Sequence, residues 1–397
     1  MELSRQGETP LAAIMRACIS RSDRKGLTVD GEVLSAISFH QYMTLCLYHP
    51  EFGYYRSGAS KVGREGDFYT SAFVGDMMGE RLAAALAELA YARFGGDQDV
   101  EVIDWGGGTG RLAQHMLSAW HPQEGSELDS PEIELGGNSF SVTVIEANPE
   151  HRRQAEERLR SFIQSGMARV ADDAGWEALL PSDRPVIVVA NELLDAFPVH
   201  RLVKQNGRLQ EWGVACPDGQ NLISCLLEVE DPRLTQWLEE EGLNDLPDGQ
   251  TVEANLDGVD WATKLISRLR RAIVVLIDYG DVTEELTASH RKDGTLLCYR
   301  EHRAHNDPFL WPGLQDITAH VNFSHVRRSL EAQGGELIWY GTQKRFLVES
   351  GILERLSEHG IADPFHPLVR RNRAIRQLLL SDGMSELFKV QIFGVGG

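Results

Sequence analysis

An apolar run followed directly by a cluster of glycines constrains this chain more than any other feature. The stretch VIDWGGGTGRLAQHML at residues 102–117 contains four glycines within five positions, and a helix-like pattern follows it. Glycine loses the most backbone entropy on folding, so the cluster indicates that something must come close to this backbone. A glycine turn after a first strand usually lets the backbone approach a nucleotide, and the next helix offers free amide groups at its N-terminus.

Apolar runs and helix-like segments alternate from about residue 100 onwards. Strands that are apolar on both faces and alternate with helices indicate a parallel sheet that is covered on both sides. The pattern therefore predicts an α/β fold. The five runs interpreted as strands are VEVIDW, SVTVIEANP, MARVADD, PVIVVANELL and AIVVLIDYG.

The chain divides into three parts on this pattern. Residues 1–80 form a mainly helical N-terminal lobe, and residues 81–350 form the α/β core. The core contains a β-rich insertion at about 198–258, where Asn-Gly between two alternating runs is a hairpin signal. We expect the charged tail, residues 351–397, to be helical.

Composition excludes several classes of function. The chain has 397 residues and a formal net charge of -20, which disfavours a nucleic-acid partner because phosphate binding needs a basic surface. Its five cysteines are scattered and form no C-x-x-C pair, so we expect no structural metal and a reducing compartment. The N-terminal residues resemble neither a secretory signal nor an arginine-rich presequence, and no run reaches the roughly 18 apolar residues of a membrane span. We therefore expect a cytoplasmic protein without a membrane partner.

The spacing of the glycines distinguishes between possible ligands. The dinucleotide pattern G-x-G-x-x-G would need its last glycine where Arg111 stands, and the Gly-Lys-Ser/Thr ending of a phosphate-binding loop is missing. The pattern present is Asp104-x-Gly106-x-Gly108-x-Gly110. It resembles the first motif of Rossmann-like class I methyltransferases that use S-adenosylmethionine (SAM). SAM carries an ammonium and a sulfonium but no pyrophosphate, so Asp104 suits its charged methionine end; an NAD site and a glycine turn that binds nothing are the alternatives.

Acidic residues follow the second and third predicted strands. Glu146 ends the second strand, where a carboxylate can accept both ribose hydroxyls of SAM or, equally, of NAD. In the methyltransferase pattern an acid after the third strand bonds the adenine amino group, and Asp172 is the candidate, with Asp173 as the alternative. Either aspartate could instead only cap a helix.

Polar residues also follow the fourth predicted strand. Asn191, Glu192 and Asp195 stand just past its carboxyl end, which is where open α/β sheets bind their ligands. In a SAM-dependent enzyme this position is where the acceptor nucleophile meets the methyl group. The alternative is that these residues cap the next helix.

Five motifs occur in the order typical of one family of SAM-dependent methyltransferases, the MidA family. They are YHPEFGYY, GDFYTS, DWGGGTG, NELLDAFPVHRL and GLQDITAHVNFS, within residues 35–350. Because mitochondrial members of this family are protein arginine methyltransferases, the resemblance implies a protein substrate with an arginine acceptor. It also implies a loop over the cofactor (Gly66, Asp67, Phe68, Thr70), acceptor-site residues (Asn191, Glu192, Asp195) and nearby residues (Asp316, His320, Asn322).

A guanidinium is planar and effectively always protonated, so paired carboxylates are its natural clamp. Glu192 and Asp195 would lie one turn apart if their segment is helical. One carboxylate would orient the guanidinium and could accept the released proton, for which His320 is another candidate. The rival functions are a SAM-binding assembly protein with little catalysis and a small-molecule methyltransferase; a homodimer is possible.

Overall fold

The computed structural model describes residues 9–56, 76–122, 133–174, 176, 180, 184–358, 360–361, 363–380 and 384–396. The described residues form two compact units. The first unit contains residues 9–56, Leu194–Ala262 and Gly280–Arg328, and the second contains residues 76–193, Thr263–Tyr279 and residues 329–396. Among the described helices, none is both long and apolar enough to cross a membrane.

The α-helices of the described residues are α1 (Pro10–Arg21), α2 (Phe39–Tyr48), α3 (Met77–Phe94), α4 (Arg111–Trp120), α5 (Pro149–Arg158), α6 (Arg160–Gln164), α7 (Pro232–Glu240), α8 (Leu256–Arg268), α9 (Thr283–Leu286), α10 (Phe323–Ala332), α11 (Gln343–Glu349), α12 (Pro367–Leu380) and α13 (Met384–Leu387). Short 3-10 helices span Leu194–Ala196 and Ile352–Arg355.

The strands are β1 (Lys25–Leu27), β2 (Val33–Ser38), β3 (Asp99–Trp105), β4 (Ser139–Ile145), β5 (Ala168–Ala171), β6 (Val186–Asn191), β7 (His200–Gln205), β8 (Arg208–Ala215), β9 (Ile223–Leu227), β10 (Thr251–Ala254), β11 (Ala272–Asp281), β12 (Leu297–Arg300), β13 (Arg303–His305), β14 (Asp316–Thr318), β15 (Val321–Asn322), β16 (Glu336–Thr342) and β17 (Phe388–Val395).

A mostly parallel sheet forms the centre of the second unit. Its strand order is β16-β17-β11-β6-β3-β4-β5, and the five strands from β11 to β5 are parallel. The chain runs outward from β3 through β4 to β5 and then returns to the other side of β3 with β6. The carboxyl ends of β3 and β6 therefore flank the point where the strand order reverses, the preferred ligand position in such sheets.

The predicted α/β class is confirmed, and the five predicted strands correspond to β3, β4, β5, β6 and β11. These strands form because their apolar residues are buried on both faces, as in β11, where every residue from Ala272 to Asp278 is buried. Helix α4 buries Leu112, Met116 and Leu117 at helical spacing in the same core.

A six-stranded antiparallel sheet belongs to the first unit. Its order is β10-β7-β8-β2-β1-β9, and an additional β8–β9 pairing joins its end strand back to the middle. The predicted Asn-Gly hairpin is confirmed: Asn206 and Gly207 have φ of 51° and 73° between β7 and β8. The segment predicted as a β-rich insertion, 198–258, contains β7 to β10 and also α7.

The N-terminal and C-terminal parts need corrections. Helices α1 and α2 lie in the predicted helical lobe, but β1 and β2 lie there too, because β2 pairs with the distant strand β8. The expected helical tail over 351–397 includes α12 and α13, but its last stretch is β17. Every residue of β17 is buried, because the strand pairs antiparallel with β11 on one side and β16 on the other. The division at residues 80 and 350 stays a prediction.

Candidate active site

The glycine loop joins β3 to α4 at the carboxyl edge of the parallel sheet. Its backbone is fixed by Gly106 N, which donates to Ile145 O at 2.8 Å. A Cβ on Gly107 would come within 2.7 Å of Asp104 Oδ2, so a side chain there would displace the carboxylate. Gly108 has φ of +54°, and a Cβ there would enter open space. The backbone of the loop is therefore accessible to a ligand at Gly108 and packs closely against Asp104 at Gly107.

Asp104 is a buried carboxylate at the end of β3. It is 1% exposed, and its Oδ2 has no hydrogen-bond partner within the described part of the chain. Burial, followed by the nearby Glu146 carboxylate, raises the pKa of Asp104 to about 7, while the Ala113 backbone N–H opposes the rise. An unsatisfied buried carboxylate oxygen is costly, so this position suits a cationic group that hydrogen-bonds to it.

Glu146 lies directly after β4 and contacts the glycine loop. Its Oε2 accepts from Gly108 N at 2.9 Å, and its Oε1 accepts from Asn148 N at 2.6 Å. Burial raises the pKa of Glu146, and these two backbone N–H groups partly oppose that rise. The structure thus brings Asp104, Glu146 and the predicted loop glycines together at one edge of the sheet.

Asn191 and Glu192 stand where β6 ends. Asn191 Nδ2 donates to Glu192 Oε1 at 3.1 Å, while Asn191 Oδ1 is buried and has no hydrogen-bond partner among the described residues. Glu192 has φ of +53°, and its N donates to Ile277 O at 2.8 Å. A left-handed non-glycine residue is strained, and such strain concentrates at functional sites. The segment from Glu192 to Asp195 is not an α-helical turn, because Glu192 is left-handed and only a 3-10 helix begins at Leu194, so the one-turn spacing that a helix would give does not apply.

A carboxylate on the neighbouring strand was missed by the sequence analysis. Asp278 on β11 is 1% exposed. Its Oδ2 accepts from Leu193 N at 3.1 Å, and its Oδ1 accepts from Tyr279 N at 2.8 Å. Asp278 therefore holds the backbone directly after Glu192. A single acid within the apolar strand AIVVLIDYG was the available signal.

The first unit contains a second group of buried acids, here called the acid–tyrosine cluster: Tyr48, Tyr55, Asp195 and Asp316. Tyr55 Oη donates to Asp316 Oδ1 at 2.8 Å, and Tyr48 Oη donates to Ala196 O at 3.0 Å. The rings of Tyr48 and Tyr55 lie 5.7 Å apart. Burial, then Asp316 and Asp195, raise the pKa of Tyr55 well above its usual value, so Tyr55 remains a proton donor at neutral pH.

Two other predicted residues have local hydrogen bonds in the first unit. His320 N donates to Thr295 Oγ1 at 3.0 Å, and its ring Nδ1 lies 3.5 Å from Arg291 Nη1. Asn322 Oδ1 accepts from His325 N at 3.1 Å, in the first turn of α10. Asn322 therefore caps that helix, and a catalytic role for His320 stays a prediction.

The remaining predicted site residues are those of the loop over the cofactor and the acid after the third strand. Gly66, Asp67, Phe68 and Thr70 lie outside the described residues. Asp172 is exposed, and its Oδ1 accepts from Ala174 N at 3.0 Å, which is a capping interaction; its adenine contact stays a prediction. In the part of the chain that the structure describes, no group of three or more His, Cys, Asp or Glu could hold a metal ion.

Comparison with known proteins identifies the family. Residues 77–341 match the family model described as "Putative S-adenosyl-L-methionine-dependent methyltransferase". The chain belongs to this family. It is also similar to a Burkholderia thailandensis protein solved with S-adenosyl-homocysteine, at 31% identity and a TM-score of 0.80, over 98% of this chain and 95% of that one. The predicted MidA-like family of methyltransferases is thereby confirmed.

Two animal relatives carry a more specific name. A Drosophila melanogaster protein named protein arginine methyltransferase NDUFAF7 homolog, mitochondrial, is 28% identical over 74% of this chain and 66% of its own length. A Danio rerio protein named protein arginine methyltransferase NDUFAF7, mitochondrial, is 24% identical over 86% of this chain and 80% of its own length.

S-adenosyl-L-methionine is the cofactor, and the residues present fit it. When bound, it supplies a methyl group on a positively charged sulfonium. The unsatisfied Oδ2 of Asp104 suits its cationic methionine end, and Glu146 lies where a carboxylate can accept ribose hydroxyls. The open space beside Gly108 lets the ligand lie against the backbone.

We predict that Gly108→Ala loses SAM binding without unfolding the protein. The new Cβ enters the space where the ligand would lie, and the left-handed backbone costs roughly 1 kcal/mol. Gly166→Ala is the matched control, because Gly166 has φ of +77° and also has nothing within 4 Å of its Cβ position. Calorimetry should show SAM affinity at least about tenfold weaker for Gly108→Ala alone. Equal affinities of the two variants would contradict the site.

We also predict that SAM affinity rises with pH through the ionisation of Asp104. With a pKa of about 7, Asp104 is protonated at lower pH, and a cationic ligand prefers its ionised form. Titrations should therefore show affinity increasing about tenfold from pH 5.5 to 7.0, a range in which an α-amino group stays protonated. Asp104→Asn should bind more weakly at pH 7.0 and lose most of this dependence. The same pH profile in both proteins would exclude Asp104 as its source.

Proposed function

We propose that this protein transfers the methyl group of SAM to a side-chain nitrogen of an arginine in a protein substrate. The acid–tyrosine cluster is the observation that carries the proposal, because Asp195 and Asp316 are 6% and 3% exposed. Two buried carboxylates grouped in one cluster favour a cationic ligand, and a guanidinium is a planar, permanently charged donor that pairs with carboxylates in fixed geometry. The names of the fly and zebrafish relatives support the same acceptor.

The residues proposed to bind the acceptor are close together in the sequence. Asn191 ends β6 and Glu192 follows it, and β6 is the neighbour of β3, the strand that leads into the glycine loop. Asp195 comes three residues after Glu192. Three residues span at most about 11 Å. The Cα atoms of Glu192 and Asp195 are therefore no more than about 11 Å apart.

Methyl transfer from a sulfonium is an in-line displacement, so donor and acceptor must be aligned and water excluded. In this proposal Glu192 orients the guanidinium, which turns a nitrogen lone pair towards the methyl group, and then accepts the proton that the methylated nitrogen releases. Asp278 keeps the backbone after Glu192 in place through Leu193 N. Tyr55 donates to Asp316 and so fixes the direction of that carboxylate.

The finer description of the fold belongs to the same proposal. We infer a Rossmann-like class I methyltransferase arrangement in the second unit. The strand order supports this arrangement. The order reverses between β3 and β6, with β3, β4 and β5 on one side and β6 and β11 on the other, and the antiparallel strand β17 lies next to β11.

Removing the charge of Glu192 should separate catalysis from cofactor binding. We predict that Glu192→Gln lowers methyl transfer at least about 100-fold, because it removes both the orienting charge and the proton acceptor. Transfer is measured as incorporation from methyl-labelled SAM into proteins of a cell lysate, and SAM affinity should change less than about threefold. Glu156→Gln, at an exposed position on α5, is the control and should keep full activity. Undiminished transfer by Glu192→Gln would rule out its role.

Removing the hydroxyl of Tyr55 should weaken acceptor binding specifically. A hydrogen bond to a charged group contributes about 1.5–3 kcal/mol, so Tyr55→Phe should raise the acceptor concentration for half-maximal methylation about tenfold. The KM for SAM should stay unchanged. Tyr42→Phe is the matched control for Tyr55→Phe. Tyr42 is also buried in the first unit, but its Oη donates to a neutral acceptor, Pro308 O, at 2.6 Å. If both variants alter acceptor KM equally, Tyr55 has only a structural role.

A further inference from the structure

Helix α12 carries a row of exposed arginines. Arg370, Arg373 and Arg376 stand three residues apart, so they share one face of the helix. No ion pair involving these three side chains occurs among the described residues. The chain as a whole has a formal net charge of -20, so this positive face contrasts with the rest of the molecule.

Arg373 and Arg376 border a groove in the second unit, here called the arginine groove. It encloses about 910 Å³ between α12 and the segment after the 3-10 helix Ile352–Arg355. The side chains that matter for its chemistry are Leu356, Ser357, Glu358, Val369, Arg373 and Arg376. The groove thus has two cationic side chains, Arg373 and Arg376, and one acidic side chain, Glu358. Arg370 adds a third cation on the same face of α12.

A buried guanidinium lies next to this groove. Arg371 is 8% exposed, its Nη2 donates to Ser357 Oγ at 3.1 Å, and its Nε and Nη1 have no partner within the described ranges. Nearby, Arg81 and Arg355 both contact Glu80 Oε1, at 2.7 and 2.8 Å. Two of the three nitrogens of the Arg371 guanidinium thus have no hydrogen-bond partner among the described residues. A buried cation without a partner anion is costly, so an incoming anion is stabilised here.

Apolar side chains flank the same arginines. Leu356 is 40% exposed at the groove, and Phe365, just before α12, is 81% exposed. Exposed apolar groups beside cations favour a polypeptide partner, because acidic peptides offer carboxylates and apolar side chains together. Nucleic acid fits less well, because its phosphate backbone offers no aliphatic side chains to pack on these apolar groups.

We propose that the arginine groove binds an acidic segment of a partner protein. Carboxylates of that segment pair with Arg373 and Arg376, and its apolar side chains pack on Leu356 and Phe365. This interaction is separate from methyl transfer, since the groove contains none of the residues assigned to the cofactor or the acceptor.

The test uses the full chain and a short fluorescein-labelled peptide composed of Glu, Asp and Leu. The double variant Arg373→Glu/Arg376→Glu should weaken binding, measured by fluorescence anisotropy, at least about tenfold. The control is Arg160→Glu/Arg270→Glu, which makes the same charge change at two exposed arginines of the same unit and should alter binding less than about twofold. A peptide with Gln and Asn in place of the acids should bind at least about tenfold more weakly than the acidic peptide.

Three results would overturn the proposal. The first is equal peptide binding by the groove variant and its control, with both variants shown to be folded by circular dichroism. The second is tighter binding of a uridine oligonucleotide than of the peptide at the same salt concentration. The third is full displacement of the peptide by inorganic phosphate at low millimolar concentration, which would assign the groove to an adventitious ion only. SAM affinity is measured in parallel and should be unchanged, so the outcome is independent of the proposed transferase activity.

Discussion

The burial of Asp104 beside Glu146 is the constraint on which the site depends. Two carboxylates lie at the carboxyl edge of one parallel sheet, and burial raises the pKa of both. Backbone N–H groups of Gly108 and Asn148 satisfy Glu146, whereas Asp104 Oδ2 has no partner among the described residues. A buried carboxylate oxygen without a partner is costly, and a cationic group that hydrogen-bonds to Asp104 lowers that cost.

The same sheet edge positions the residues proposed to bind the acceptor. Strand β6 lies directly beside β3, so Asn191, at the end of β6, and Glu192 stand at the same edge as Asp104, near the end of β3. The left-handed Glu192 and the hydrogen bond from Leu193 N to Asp278 turn the chain out of the sheet. Strain at Glu192 is thus supported by a buried carboxylate on β11, as expected where a residue must be held in one orientation.

Patterns within short stretches of sequence predict the parallel strands and most residues of the cofactor site. The glycine spacing, Glu146 and the residues after the fourth strand were identified because they follow apolar runs that form strands in almost any context. The residues that were missed depend on distant parts of the chain: Tyr55 meets Asp316 across 261 positions. The local sequence predicts helix where β17 forms, because the pairing with β11 and β16 that makes it a strand involves distant residues. The left-handed backbone of Glu192 left no signal in the local pattern.

The chemical identity of the methylated group is the most direct test of an arginine acceptor. The purified protein would be incubated with methyl-labelled SAM and a cell lysate, and the labelled protein would be hydrolysed to amino acids and separated. The account predicts that the protein-bound label is recovered as methylated arginine. Label in methyl-lysine, in base-labile methyl esters or only in solvent-extractable small molecules would contradict the arginine acceptor.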